Sequence, residues 1–320
     1  MSHFQSKKVV WGVDPFEESG RTISAAKRAI QYLLQGAEVY PVFAPGSAIP
    51  EVSISVEQAQ VRGLKEFWKK RLADTPGKPL AHVAGLSVLG KPSNGVREAA
   101  KRLVKFSQSI DAELILVATH SRKGLSRLLL GSFTETLVTL SPIPVLTVHP
   151  GWQPSAGSHT VFFATDFSEA SEKAFEKVLQ FCAETQRKLV IFNKVIFNDY
   201  PMGVLAPAVY VAYEEAFDAQ VLESKKKANQ WVKKAKSMKL SASAVVDSER
   251  GTAVTDSILK RVNGKAYMVA LASQSGPFLS VLGSTTRQVI RGSHQPVWVI
   301  HPKAKTLKQK KPTPRSAPRS

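Results

Sequence analysis

Residues 118–150, ATHSRKGLSRLLLGSFTETLVTLSPIPVLTVHP, lie without a gap over residues 270–302, ALASQSGPFLSVLGSTTRQVIRGSHQPVWVIHP. Twelve of the 33 positions are identical, among them Leu130-Gly131-Ser132 with Leu282-Gly283-Ser284, Pro144-Val145 with Pro296-Val297, and His149-Pro150 with His301-Pro302. The same offset of 152 carries VVWGVD, ending at Asp14, onto VFFATD, ending at Asp166. Trp68 and Trp231 correspond only at an offset of 163, so the second copy is longer before that helix and shorter after it. One unit occurring twice at this length is a duplicated domain, because a solenoid stacks many short repeats.

Each copy alternates strand and helix. In the first, KVVWGV reads as a buried strand, Ser19–Leu34 as a helix ended by Gly36, and AEVYPVF as a second strand. Val56–Leu72 follows as an amphipathic helix, LAHVAGLSVL as a strand, Val96–Phe106 as a helix and ELILVA as a strand. A helix starting near Ser132 and the strand PVLTV close the unit. The second copy runs VFFAT, Glu169–Ala183, LVIFNKVIF, Glu214–Lys236, SAVV, Ala253–Val262, YMVALA, Ser284–Arg291 and PVWVI. Strands rich in Val, Ile and Leu without alternation are buried on both faces, which requires a parallel sheet covered by helices. The fold class is therefore α/β: two tandem doubly wound domains, each a five-stranded parallel sheet flanked by helices. The expected boundaries are domain 1 over 1–150, a linker over 151–158, domain 2 over 159–302, and a basic disordered tail over 303–320.

The chain's 320 residues suit two such domains, and its net charge of +19 has to be located before it is interpreted. Residues 1–150 carry 19 basic and 12 acidic side chains, and residues 151–302 carry 18 and 13. Residues 303–320 hold seven basic groups and no acidic ones, in a setting of Pro, Ser and Thr that cannot bury a core. The folded part is only moderately basic, so nucleic acid is expected, if at all, as a non-specific partner of the tail. A single cysteine, Cys182, rules out an intramolecular disulfide. The N-terminus has no apolar signal core, and no apolar run reaches the length of a membrane span. Cytoplasmic localisation is the expectation, with no membrane contact.

Motifs for defined chemistry are missing. No HExxH, CxxC or GxSxG occurs, so neither metal nor hydrolase chemistry is expected. Gly85–Lys91 imitates a phosphate loop, but Pro92 stands where a hydroxyl would hold magnesium. His149 and His301 precede prolines at strand exits and are expected in exposed structural positions. The lysines at 225–227, 233, 234, 236 and 239 are expected on the solvated face of a helix that turns Val221, Leu222, Trp231 and Val232 inward.

TDFSEASEKAFE at 165–176 and the two segments LLLGSFTE and SVLGSTT, each followed by a Pro-Val strand, resemble the universal stress protein family as a tandem. Nucleotide-binding members of that family use a Gly-x2-Gly-x9-Gly-Ser/Thr loop after the fourth strand, an Asp after the first and a Val on the second. The resemblance implies Asp14 and Val42 in copy one, and Asp166 and Val195 in copy two. It implies the loop positions Ala118, Ser121, Gly131 and Ser132, with Arg122 and Lys123 adding charge, and then Ala270, Ser273, Gly283 and Ser284. Ala and Ser replace the first two glycines in both copies. A Cβ there obstructs the approach of phosphate to backbone N–H groups. Gly131-Ser132 and Gly283-Ser284 remain as helix N-termini with a capping hydroxyl.

The expected function is a non-catalytic stress-response regulator in which ATP binds weakly or not at all. The alternatives are an ATP-binding, weakly hydrolysing molecular switch and a nucleic-acid-associated protein acting through the basic tail. The resemblance further implies that the two domains pair within the chain through their last strands. A separate protein partner is unidentified.

Overall fold

A computed structural model describes residues 6–17, 19–45, 54–90, 95–119, 131–154, 159–196, 207–273 and 282–301. The first copy comprises β1 (Lys8–Gly12), α1 (Arg21–Leu33), β2 (Glu38–Phe43), α2 (Ile54–Asp74), β3 (Ser87–Val88), α3 (Val96–Ser109), β4 (Leu114–Ala118), α4 (Ser132–Leu140) and β5 (Val145–Val148). The second comprises β6 (Thr160–Ala164), α5 (Glu169–Thr185), β7 (Lys188–Lys194), α6 (Pro207–Ser237), β8 (Ala242–Asp247), α7 (Val254–Val262), β9 (Met268–Ala272), α8 (Ser284–Gly292) and β10 (Val297–Ile300). The strands form one ten-stranded sheet in the order β3-β2-β1-β4-β5-β10-β9-β6-β7-β8. Within each copy every pairing is parallel, and β5 meets β10 antiparallel.

The unalternating strands explain this arrangement. β4 and β5 are buried at every residue, because helices cover both faces. On one face Trp11, Phe163 and Phe175 pack with residues of α1, α2, α5 and α6. On the other, Val10, Phe162, Leu103, Leu137, Ile258 and Val289 pack with α3, α4, α7 and α8. Trp68 packs edge-on to Trp11 at 5.2 Å, and Trp231 stacks over Phe163 at 6.1 Å and Phe175 at 4.2 Å. Both tryptophans thus rest on equivalent strand positions, as their offset in sequence implies.

The β5–β10 register is symmetric: Val297 faces Thr147, Trp298 faces Leu146 and Val299 faces Val145. Residues 152 apart exchange places in these pairs, so an approximate two-fold passes between Leu146 and Trp298. Because the two halves run in opposite directions, their carboxyl edges lie at opposite ends of the sheet.

Three local expectations need correction. LAHVAGLSVL forms only β3 and an isolated bridge from Val83 to Val39. It is the outermost segment of the sheet, His82 turns at φ +56°, and no second neighbour holds it extended. Leu222 is 56% exposed, since α6 turns Phe217, Ser224, Ala228 and Ala235 inward instead. His301 is buried rather than exposed. Its Nδ1 lies 3.2 Å from the carbonyl oxygen of Ile143 in the other copy. His149 is half-buried and meets His294 edge-on at 4.9 Å. Strand exits that look exposed in one domain are covered by the other.

Burial pushes the His301 imidazole down to about 4, against the carbonyls of Ile143 and Val138, which favour the charged form. The unfolded chain takes up a proton near pH 6.5, and the folded chain resists it. Stability is therefore full above about pH 6.5 and falls as the pH drops toward 4, by up to about 3 kcal/mol. Urea unfolding at pH 7.5 and pH 4.5 measures the difference, and His301→Gln is expected to reduce it by most of that amount.

Candidate functional site

Strand β6 delivers Asp166 to the carboxyl edge of the second half, two residues beyond its last strand position. The Asp166 Oδ1 accepts from the Ser168 N–H at 3.0 Å and from the Ser171 hydroxyl at 2.6 Å. Burial opposes ionisation here, but the hydrogen bonds from Ser171 and Ser168 hold the carboxyl below its ordinary value. Ser168 caps α5, its side chain accepting from the Ser171 N–H at 3.3 Å. Asp166 is thus fixed by the start of α5.

Beside it opens a cavity of about 470 Å³, with Asp166, Asn193, Lys194, Ser273, Gly283 and Thr286 among its lining residues. Asn193 is 7% exposed. Its Nδ2 donates to the Thr165 carbonyl at 2.9 Å, which fixes the amide orientation. Its Oδ1 accepts from no donor among the described residues. Lys194 is also buried; its ammonium donates to Asp247 Oδ1 at 3.0 Å and to the Glu249 carbonyl. Asp247 also accepts from the Glu249 N–H at 2.9 Å and pairs with Arg261 at 2.9 Å. Burial works against its charge, yet the Glu249 N–H, Lys194 and Arg261 hold the carboxyl below its ordinary value. The cation at the floor of this cavity already has its anion.

Copy one is built differently at the same place. Asp14 accepts from the Phe16 N–H at 3.0 Å. Phe16 meets Phe43 edge-on at 5.8 Å and stacks on Phe67 at 6.4 Å. Phe16 corresponds to Ser168, and Phe43 to Asn193. Aromatic rings therefore stand where copy two has polar groups.

The model of the universal stress protein family matches residues 5–149 and again residues 157–301. The chain belongs to the universal stress protein family. A universal stress protein of Methanocaldococcus jannaschii is 31% identical over 140 residues, covering 42% of this chain and 79% of that protein. A universal stress protein structure from Archaeoglobus fulgidus DSM 4304 covers 93% of this chain and 99% of its own, at 20% identity and a TM-score of 0.56. A protein of unknown function from Pseudomonas aeruginosa PAO1 covers 93% of both chains at 12% identity and a TM-score of 0.51. These two structures share the α/β fold of two tandem copies.

Strand register decides where the positions suggested by sequence fall in the two universal stress protein domains. Gly12 faces Val42 in one, and Ala164 faces Phe192 in the other. Phe192, not Val195, is therefore the counterpart of Val42. Val195 lies three residues further on, buried, with its N–H donating to the Asp247 carbonyl. Gly12 faces Val117, and Ala164 faces Leu271. The fourth strands are thus offset by 154, so Ala272, not Ala270, corresponds to Ala118. Ala270 is fully buried in mid-strand between Phe163 and Trp298 and can touch no loop ligand. Ser273, 6% exposed, does line the cavity, one residue after β9.

Ala118 ends β4, and Val42 is buried within β2. Gly131 and Gly283 are themselves the N-caps of α4 and α8, and neither helix has a side-chain cap. The expected capping by the Ser132 and Ser284 hydroxyls therefore does not occur: both serines are already helical. Ser121, Arg122 and Lys123 lie outside the described residues, as does 303–320. Sequence reasoning missed Asn193, Lys194 and Asp247. The signal was present: Asn193-Lys194 interrupts the apolar run LVIFNKVIF.

Among the described residues no group of three or more His, Cys, Asp or Glu could hold a metal ion, and no helix is long and apolar enough to cross a membrane. Removing one partner from a buried ion pair strands the other. Asp247→Asn is expected to cost about 3 kcal/mol in urea unfolding. Lys194→Met combined with Asp247→Leu is expected to lose less than the sum of the single losses.

Proposed function

We propose that the chain is a non-catalytic stress-response regulator of the cytoplasm whose nucleotide site is degenerate in both copies. For the second copy, the observation that carries this reading is the length of its loop. With Ala272 as the counterpart of Ala118, the segment up to the helix-capping glycine is two residues shorter than in copy one. A shortened loop carrying Ala and Ser in place of glycine presents fewer backbone N–H groups to a phosphate chain. The Lys194–Asp247 pair supports the reading, since a cation neutralised from within attracts an incoming anion weakly. Asp166 and the unpartnered Asn193 Oδ1 are acceptors, and they suit a ligand's hydroxyl or amino groups better than its phosphates.

The test is a calorimetric titration of ATP into the full chain. The wild type is expected to bind weakly or not at all. Ala118→Gly with Ser121→Gly is expected to gain several-fold, because removing the two Cβ atoms clears the approach of phosphate to backbone N–H groups. Ala272→Gly with Ser275→Gly is expected to gain little, because glycine does not restore the missing length. Micromolar binding of ATP by the wild type would refute the reading and favour an ATP switch.

A second reading rests on the seven cations of residues 303–320, which suit non-specific contact with nucleic acid. Salt-dependent binding lost on truncation after Pro302 is its expected signature.

A further inference from the structure

The backbone of the central seam does not select its partner. Val145, Leu146 and Thr147 face Val299, Trp298 and Val297, and all are apolar or hydroxyl-bearing. Backbone hydrogen bonds of the same register would join two first copies, or two second copies, from different chains. Selection comes from side chains: Leu146 faces Trp298 on the seam, where like copies would set Leu against Leu or Trp against Trp, and charged groups lie beside it.

One contact there lies between equivalent positions. Glu135 of α4 and Arg287 of α8 are 152 residues apart, at the same place in their helices. They meet across the approximate two-fold, with Arg287 Nε 2.7 Å from Glu135 Oε1. Arg291 Nη2 lies 3.5 Å from Glu135 Oε2, and its counterpart in copy one is Thr139, which carries no charge. Side-chain exposures of 27% for Glu135, 31% for Arg287 and 40% for Arg291 leave these charges only partly hydrated.

A position on a two-fold meets itself when like copies pair. Two first copies would bring Glu135 against Glu135, with no cation between them among the described residues. Two second copies would bring Arg287 and Arg291 against the same two residues, with no carboxylate. Only the unlike pair neutralises the site. Like charges held together at a partly desolvated interface disfavour the wrong partner more strongly than a matched pair favours the right one.

We propose that Glu135, Arg287 and Arg291 restrict this seam to unlike domains, so that its partner is the other domain of the chain and a like domain of a second chain is rejected.

Two variants of the full chain recreate the like-pair charge sets at the intact seam. Glu135→Arg leaves only cations, as two second copies would. Arg287→Glu with Arg291→Thr leaves only carboxylates, as two first copies would. Each is expected to lower the Tm by about 2–4 °C. The three substitutions combined restore an unlike pair with its charges exchanged, and are expected to recover most of that loss. Glu135→Leu, which removes the pair without creating repulsion, is expected to fall less than Glu135→Arg. In 1 M NaCl the Glu135→Arg deficit is expected to shrink toward that of Glu135→Leu. If the combined variant is no more stable than the sum of its parts, or if Glu135→Arg and Glu135→Leu lose equally at low salt, the assignment is wrong.

Discussion

Val297 with Thr147, Trp298 with Leu146 and Val299 with Val145 join two five-stranded sheets that would otherwise each present an unpaired apolar edge. Such an edge is a template for pairing with any other strand. Closing it with the twin domain merges the two halves into one ten-stranded sheet, whose outermost strands are β3 and β8. The antiparallel sense of that single pairing sets much else. It sends the carboxyl edges to opposite ends, so the two candidate sites cannot share one ligand. It brings His301 beneath Ile143, and Glu135 to Arg287. The Tyr267 hydroxyl donates to the Tyr32 carbonyl at 2.7 Å, a further link between the halves.

The fold was legible because strands buried on both faces carry no alternation, and helices between them carry a regular apolar stripe. Most element limits read from sequence fall within a few residues of those observed. The equivalence of Trp68 and Trp231 was also legible, since each packs on the same strand position of its copy. Register was not. The gap-free match draws its strength from Leu-Gly-Ser and Pro-Val, which flank the loop on its far side. It then runs backwards into ALA at 270–272, where two alanines can each be set against Ala118. Sequence chose the first, and hydrogen bonding to β6 and β10 chooses the second. A two-residue shortening hidden between identical residues leaves no trace in composition or period. The burial of His301 was equally hidden, because the residues that cover it belong to the other domain.

The candidate site was legible in outline and not in content. Asp14 and Asp166 were found because an acidic residue ends each first strand. What surrounds them depends on which side chains the neighbouring strand places at the edge, and that needs register. Once register is fixed, Phe43 and Asn193 occupy one position, and the contrast between the copies becomes visible.

The contrast has a physical direction. Phe16, Phe43 and Phe67 gather at the edge of copy one, with Phe16 61% and Phe67 45% exposed. Copy two places polar groups at the corresponding positions. They line a cavity with an amide oxygen that has no donor among the described residues, and with a buried lysine that needs Asp247 to be tolerated. An unpaired buried acceptor costs about 1–3 kcal/mol, and apolar residues commonly replace a buried ion pair without loss. Phe43 of copy one shows that this fold accepts an aromatic residue at the strand position of Asn193. The sheet therefore does not require the Asn193 amide at that strand position, whereas Lys194 and Asp247, once buried, require each other.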